Sequence, residues 1–274
     1  MSKPRMVHFL GDLPGLGEEL IHKLVCNNVV CSIVKEWYNP IITNIATELE
    51  IFNATPLLFD SNNINSNDVL LYFALNDDKL DLVQISNFSC NVILIVSEEI
   101  YADNEQICLK IIRIHDMIAY SSIADLDNNL DELLQHCQSN TSVDFTLSSK
   151  KHWWVSQQDV AMGLVRLIDN VSLLPAKLDL CGRRGWTESE TFQQLELLYK
   201  RTMAASSGQF QTDHLEPKPV IEATLAKASE ITPSTRPDLS AINEALQQVD
   251  GEGWRPLIPL RTSLMHYLAT KDLA

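Results

Sequence analysis

The stretch that most constrains the fold is residues 6–35, MVHFLGDLPGLGEELIHKLVCNNVVCSIVK. It opens on a short apolar run, residues 6–10, and passes into a turn that holds Gly11, Gly15 and Gly17. Leu20, Ile21, Leu24 and Val25 follow at the spacing of one helical face, and a second apolar run, residues 29–34, ends at Lys35. Strand, glycine turn, helix, strand is the order of the first βαβ unit of a dinucleotide-binding fold. Gly11 can take backbone angles that a Cβ forbids immediately after a strand. Gly15 and Gly17, on either side of Leu16, leave room for a pyrophosphate at the helix start, where free N–H groups and the helix dipole favour negative charge. The spacing is G-x-x-x-G-x-G rather than G-x-G-x-x-G, and Pro14 removes one N–H and stiffens the turn. A tight strand-to-helix turn with no ligand asks for the same residues, so the turn alone leaves both readings open.

The rest of the chain repeats the alternation. Apolar runs at 69–75, 91–96, 109–114 and 176–180 read as strands, the first three as strands buried on both faces. Residues 41–52, 79–85, 126–137, 159–168, 187–200, 220–228, 239–249 and 260–268 carry helical spacing, with a capping box of Thr187 and Glu190 opening one of them. Residues 36–40 read as a loop, residues 55–59 as extended chain ending at Asp60, and residues 143–147 as a short strand. The expected fold class is α/β, a Rossmann-like doubly wound parallel sheet with a small C-terminal lobe. A dinucleotide-binding domain is expected over residues 1–143, with returning segments around 151–182, and the lobe mainly over 183–274.

Charge narrows the partners. A net charge of −15 repels phosphate backbones and anionic lipid, which argues against nucleic acid and membrane surfaces, while a local basic pocket could still hold one nucleotide. The six cysteines form no C-x-x-C pair and have no metal-ligand spacing, so no metal site is expected and reduced thiols in a cytoplasmic protein are the default. The first strand begins within a few residues of the start, leaving no room for a signal peptide, and no apolar run is long enough for a bilayer.

Several landmarks, in order, resemble the extended short-chain dehydrogenase/reductase family of nucleotide-sugar epimerases and dehydratases. The glycine turn is the first. Asp60 is similar to the aspartate after the third strand that hydrogen-bonds adenine, and residues 68–74, with Phe73 and Ala74, to the fourth strand beside the cofactor. Val96-Ser97-Glu98-Glu99-Ile100-Tyr101 resembles the S-x-x-V-Y-G end of the fifth strand, with Ala102 in place of glycine, and Ile111-Ile112-Arg113 the I-I-R sixth strand. Residues 155–161 resemble the V-x-D-V-A entry to a helix; Arg236-Pro237-Asp238 and Gly253-Trp254-Arg255-Pro256 resemble the R-x-D and G-W-x-P landmarks. The resemblance implies NADP or NAD as cofactor, a nucleotide or nucleotide-sugar ligand, and an arginine, here Arg236, at the substrate phosphate. It leaves room for a homodimer or a protein partner.

One departure sets the expected chemistry. Active members carry Tyr-x-x-x-Lys on a helix between the fifth and sixth strands, where the lysine lowers the tyrosine pKa for proton transfer. Here Tyr101 is followed four residues on by Glu105, and the sixth strand begins soon after. The chain's only Tyr-x-x-x-Lys is Tyr267–Lys271, in the last helix, read as chance placement on a surface helix. Lost oxidoreductase catalysis is therefore expected; the alternative is an atypical enzyme using Ser97, Tyr101, His115 or Asp116. The neighbours His115 and Asp116 point apart in extended chain, which disfavours a dyad. Lys35, where an acid would hold the ribose of NAD, suits the 2′-phosphate of NADP, with Glu36 adjacent. Arg183 and Arg184 could clamp a diphosphate. His152, Trp153 and Trp154 read as packing between the two lobes.

Overall fold

The structure, a computed structural model, describes residues 6–75, 88–97, 110–124, 126, 130–139, 150–214, 235–271 and 273. Strand β1 (Val7–Gly11) leads through the glycine turn into α1 (Leu16–Cys26) and β2 (Cys31–Ile33). Helices α2 (Lys35–Asn44) and α3 (Ala46–Phe52) and the short strand β3 (Leu57–Leu58) follow, then β4 (Val69–Ala74), β5 (Asn91–Ser97) and β6 (Lys110–Ile114). After β7 (Met117–Ile118) come α4 (Asp131–Ser139), β8 (Lys151–His152), β9 (Val155–Ser156), α5 (Gln157–Ile168) and β10 (Lys177–Leu180). The chain continues through β11 (Trp186–Thr187), α6 (Glu188–Ser206), α7 (Ser240–Asp250) and α8 (Leu260–Thr270). The main sheet has seven strands in the order β10-β6-β5-β4-β1-β2-β3, and every pairing in it is parallel. The order reverses between β1 and β4, which places the crevice of a doubly wound fold at the carboxyl ends of those strands.

Period-two alternation divides the strands between two faces. Val7 and Phe9 of β1, Val69, Leu71 and Phe73 of β4, and Ile93 and Ile95 of β5 face one core with α1, α5 and α7. Leu70, Val92, Leu94 and Val96 face the opposite side. Helix α7 thus belongs to the sheet layer, through Ile242, Ala245 and Leu246. A second core gathers α4, α6 and α8 around Leu134, Leu195, Leu198, Leu264 and Tyr267. The adjacent tryptophans enter different cores, Trp153 the sheet core and Trp154 the second.

Several expectations need correction. Residues 36–40 are not a loop: α2 begins at Lys35 and carries Pro40 inside it. Proline removes a helical hydrogen bond, but fully buried Ile41, partly buried Trp37, Tyr38 and Ile42, and a bond from the Tyr38 hydroxyl to Pro56 O (3.1 Å) anchor the segment. Lys35 accordingly starts a helix rather than ending β2. Of residues 55–59 only Leu57 and Leu58 pair, with β2, because this is the exposed sheet edge. Helix α4 starts at Asp131 rather than at 126. The helices expected at 79–85 and 220–228 and the strand at 143–147 lie outside the described residues.

Gly11 shows why the turn begins with glycine. Its φ is +85°, and a Cβ there would run into the carbonyl of Phe73 on β4. The same carbonyl accepts a bond from Asp12 N at 2.8 Å. We expect Gly11→Ala to lower stability by about 2–4 kcal/mol, measured by denaturant unfolding, since both backbone strain and displacement of β4 follow.

Candidate functional site

Because neighbouring strands in the sheet are parallel, their carboxyl ends form one edge. Along it, in spatial order, lie Asp60 after β3, Lys35 after β2, Gly11 at the end of β1, Phe73 and Ala74 at the end of β4, and Ser97 at the end of β5. The fold therefore brings these expected cofactor residues, and Ser97 of the alternative catalytic reading, onto one edge of the sheet. Tyr101 lies outside the described residues. Lys35 is exposed and has no ion pair among the described residues. The Asp60 carboxylate accepts bonds from Asn62 N (3.0 Å) and Asn63 Nδ2 (2.6 Å), closing its own turn at the surface.

Gly15 caps α1 with φ +77°, and Gly17 lies in its first turn, as the sequence implies. The space beside each is already used. A Cβ on Gly17 would meet the Leu13 side chain at 3.1 Å. One on Gly15 would meet Leu126 Cδ1 at 2.8 Å, Gln157 Oε1 at 3.0 Å and Tyr120 O at 3.3 Å. Gln157 is fixed there by accepting a bond from Tyr120 N at 3.1 Å. Both Cβ positions are thus taken up by the chain's own packing, which asks for glycine at each whether or not a ligand binds.

The residue most tightly held at this turn is Glu18, which sequence reasoning missed. It is only 8% exposed. Its carboxylate accepts from Gly15 N (3.4 Å), Asn44 Nδ2 (2.5 Å), Ser121 Oγ (2.7 Å) and Ser122 Oγ (3.0 Å). Helix α2 makes this possible. It starts directly after β2, and its last residue, Asn44, reaches the first turn of α1, so both of its ends lie at the carboxyl edge of the sheet. A cleft of about 270 Å³ opens here, lined among others by Gly15, Glu18, Glu19, Glu48, Tyr120 and Gln157. Burial, with Glu19 nearby, raises the Tyr120 phenol pKa, outweighing its hydrogen bonds to Gln158 and Ser156. Gly15-x-x-Glu18 has capping-box spacing, the one sequence signal that could have found this acid.

At the far end of the same edge, past β10, Arg183 and Arg236 line one cleft of about 240 Å³ with Asp238, Asn243 and Trp254. Arg184, the second arginine of the expected clamp, does not line this cleft. Arg184 stacks 3.8 Å over the Trp186 ring and lies 3.6 Å from Glu190, away from the cleft that Arg183 lines. His115 and Asp116 diverge as well: His115 Nε2 lies 2.7 Å from Asp179 Oδ1, and Asp116 Oδ1 lies 2.6 Å from His152 Nδ1.

The C-terminal landmarks have a structural reason. Asp159, in the first turn of α5, accepts from Leu257 N and Ile258 N, both at 2.9 Å. Trp254 lies against Gly163, where a Cβ would meet its ring at 2.8 Å, and donates to Cys181 O at 2.9 Å. Together they fasten the segment around 253–258 to α5 and β10. Tyr267 corrects the expectation of a surface pair: it is fully buried and donates to Asp131 Oδ1 at 2.5 Å, with Lys271 3.2 Å from the same carboxylate. That network ties α8 to α4. Among the described residues no group of His, Cys, Asp or Glu is arranged to hold a metal, and no helix is long and apolar enough to cross a membrane.

Solved structures share this architecture over nearly the whole chain. One is an NAD-dependent NDP-hexosamine 5,6-dehydratase, TunA, involved in tunicamycin biosynthesis: 12% identity, 98% of this chain and 99% of that one, TM-score 0.53. Another is the terminal R domain from the myxalamid PKS-NRPS pathway, at 12% identity over 98% and 91%, TM-score 0.56. A third is a UDP-glucose-4-epimerase from Stenotrophomonas maltophila with bound NAD and formylated UDP-arabinopyranose, at 14% identity over 96% and 97%, TM-score 0.53. The chain has their fold. No family model and no curated protein matches the sequence.

The Asp159 clasp is testable. Burial raises its pKa against the pull of the two N–H bonds and Lys23. The folded state therefore holds more proton than the unfolded state just above the ordinary carboxylate range, and stability should fall as pH rises through that window. Asp159→Asn should flatten this slope. Asp159→Ala, which leaves two N–H groups without their acceptor, should cost about 1–3 kcal/mol in denaturant unfolding.

Proposed function

We propose that this chain binds a pyridine dinucleotide, or a nucleotide-sugar, along the carboxyl edge of its sheet and acts as a binding, structural or regulatory protein without the hydride chemistry usual to such a site. The observation that carries the loss of catalysis is the link from β5 to β6. Residues 98–109 contain Tyr101 but no lysine four residues later. Proton transfer coupled to hydride transfer asks for a tyrosine whose pKa is brought down toward working pH. Tyr120, in the cleft beside the glycine turn, has its pKa pushed the other way. Tyr267 has a lysine neighbour but is sealed in the second core. Retained C-terminal landmarks do not argue for activity, since Asp159, Gly163 and Trp254 are explained by packing.

The ligand reading rests on placement. The dehydratase and the epimerase described above are named with NAD; in this chain Gly11, Gly15, Leu16, Gly17, Lys35, Asp60, Phe73 and Ala74 lie at or beside the carboxyl edge, where a dinucleotide would cross the crevice. A nicotinamide bound there would supply hydride transfer. Two features support this reading: the donors of Gly15, Asn44, Ser121 and Ser122 converge on one carboxylate, Glu18, and Lys35 is exposed just after β2, free to pair with a 2′-phosphate. Arg183 and Arg236 would meet the diphosphate of a nucleotide-sugar.

Calorimetric titration with NADP and NAD should show binding with a preference for NADP, and Lys35→Asp should remove that preference. Equal affinities before and after the change would count against the assignment of Lys35. Incubation with either cofactor and a panel of nucleotide-sugars should give no change in reduced-cofactor absorbance and no new product mass. Turnover lost on changing Ser97 or Tyr101 would establish the atypical enzyme instead.

A further inference from the structure

The donors around Glu18 come from three separate parts of the chain. Gly15 N belongs to the turn before α1, Asn44 Nδ2 to the end of α2, and the hydroxyls of Ser121 and Ser122 to the segment after β7. A backbone N–H at a helix start, two hydroxyls and an amide form a donor set suited to a phosphate. Here all four point at the chain's own carboxylate. No lysine or arginine pairs with Glu18 among the described residues, so neutral donors alone hold this nearly buried group. The nearest cation of α1, Lys23, pairs with Glu19 at 2.9 Å. Ser122 Oγ also lies 3.1 Å from Asn44 Oδ1, so its single proton is shared between that oxygen and Glu18.

We infer that Glu18 is an internal occupant of the phosphate position, and that a nucleotide binds at this edge only by displacing it. The inference rests on the nucleotide reading of the preceding subsection and names the residue that governs affinity at that site. Two anions cannot share the same four donors beside a nearly buried carboxylate. With Glu18 seated, a ligand phosphate meets both a filled donor set and a like charge, and Glu19 and Glu48 line the same cleft. With Glu18 withdrawn, the same donors are released to the ligand. The carboxylate therefore selects against phosphate-bearing ligands in proportion to how firmly Asn44, Ser121 and Ser122 hold it.

The test is calorimetric titration of the full chain with NADP, NAD and ADP, using wild type, Glu18→Gln, Glu18→Ala and the double variant Ser121→Ala/Ser122→Ala. Glu18→Gln keeps the shape and removes the charge; the double variant keeps the charge and loosens its hold. Both Glu18 variants should bind NADP about tenfold or more tightly than wild type, whereas the serine double variant, which removes two donors that the phosphate would also use, should not share that gain. Each nucleotide should also raise the melting temperature of Glu18→Gln more than that of wild type. Should Glu18→Ala fail to fold, Glu18→Gln and the serine pair still decide the question. Wild-type binding that is unchanged or weakened in the folded Glu18 variants overturns the displacement and leaves the nucleotide reading standing. Folded variants that take up no nucleotide at all overturn both.

Discussion

The close approach of β1 to β4 is the constraint on which the rest of the molecule depends. Gly11 sits against the Phe73 carbonyl with φ +85°, and the chain turns there from β1 toward α1. A residue with a Cβ would push the two central strands apart at the point where the strand order reverses. The crevice, the start of α1 and the carboxyl edge all take their positions from that contact. Stacking of Phe9 on Phe73, with ring centroids 6.0 Å apart, supports it from the core side.

Around this centre the chain joins two hydrophobic cores with polar fasteners. Trp153 and Trp154, adjacent in sequence, enter different cores. The indole of Trp154 donates to Thr191 Oγ1 at 2.9 Å, so even the buried aromatic keeps its N–H paired. Asp159 holds the C-terminal segment through two backbone N–H groups, and Arg166 forms a two-point contact with Asp250 at 2.5 and 2.6 Å. These contacts explain conspicuous sequence landmarks without any catalytic role. They also separate two questions that the resemblance had joined: how the fold is fastened, and what the edge of the sheet binds.

The electrostatics of the edge are uneven. Near α1 the side chains are acidic and amide- or hydroxyl-bearing; past β10 they include Arg183 and Arg236. In a chain of net charge −15, cations placed at the far end and at Lys35 are the features that would draw an anionic ligand onto the edge. On the reading proposed above, a ligand would meet exposed cations at the periphery and the buried Glu18 carboxylate at the centre.

Local pattern was enough to read most elements. Buried parallel strands appear as uninterrupted apolar runs, so β4, β5, β6 and β10 were legible, as were the helix opening at Thr187–Glu190 and the glycines of the first turn. These features depend on residues a few positions apart, and their chemistry is the same wherever the chain goes. What the sequence left undetermined depends on long separations. Ser121 meets Glu18 across 103 positions, and Tyr267 meets Asp131 across 136. The capping-box spacing of Gly15 and Glu18 marks a first-turn acid but not the distant donors that bury it, and no local signal separates a buried Tyr-x-x-x-Lys from an exposed one. Tertiary packing also carried Pro40 into a helix and turned Arg184 away from the cleft that Arg183 lines. The sequence alone thus determined the α/β alternation and the position of the crevice, because each follows from backbone sterics and side-chain period. Only the tertiary structure decided that the Glu18 carboxylate is buried at the start of α1, because Asn44, Ser121 and Ser122 converge on it from two distant segments.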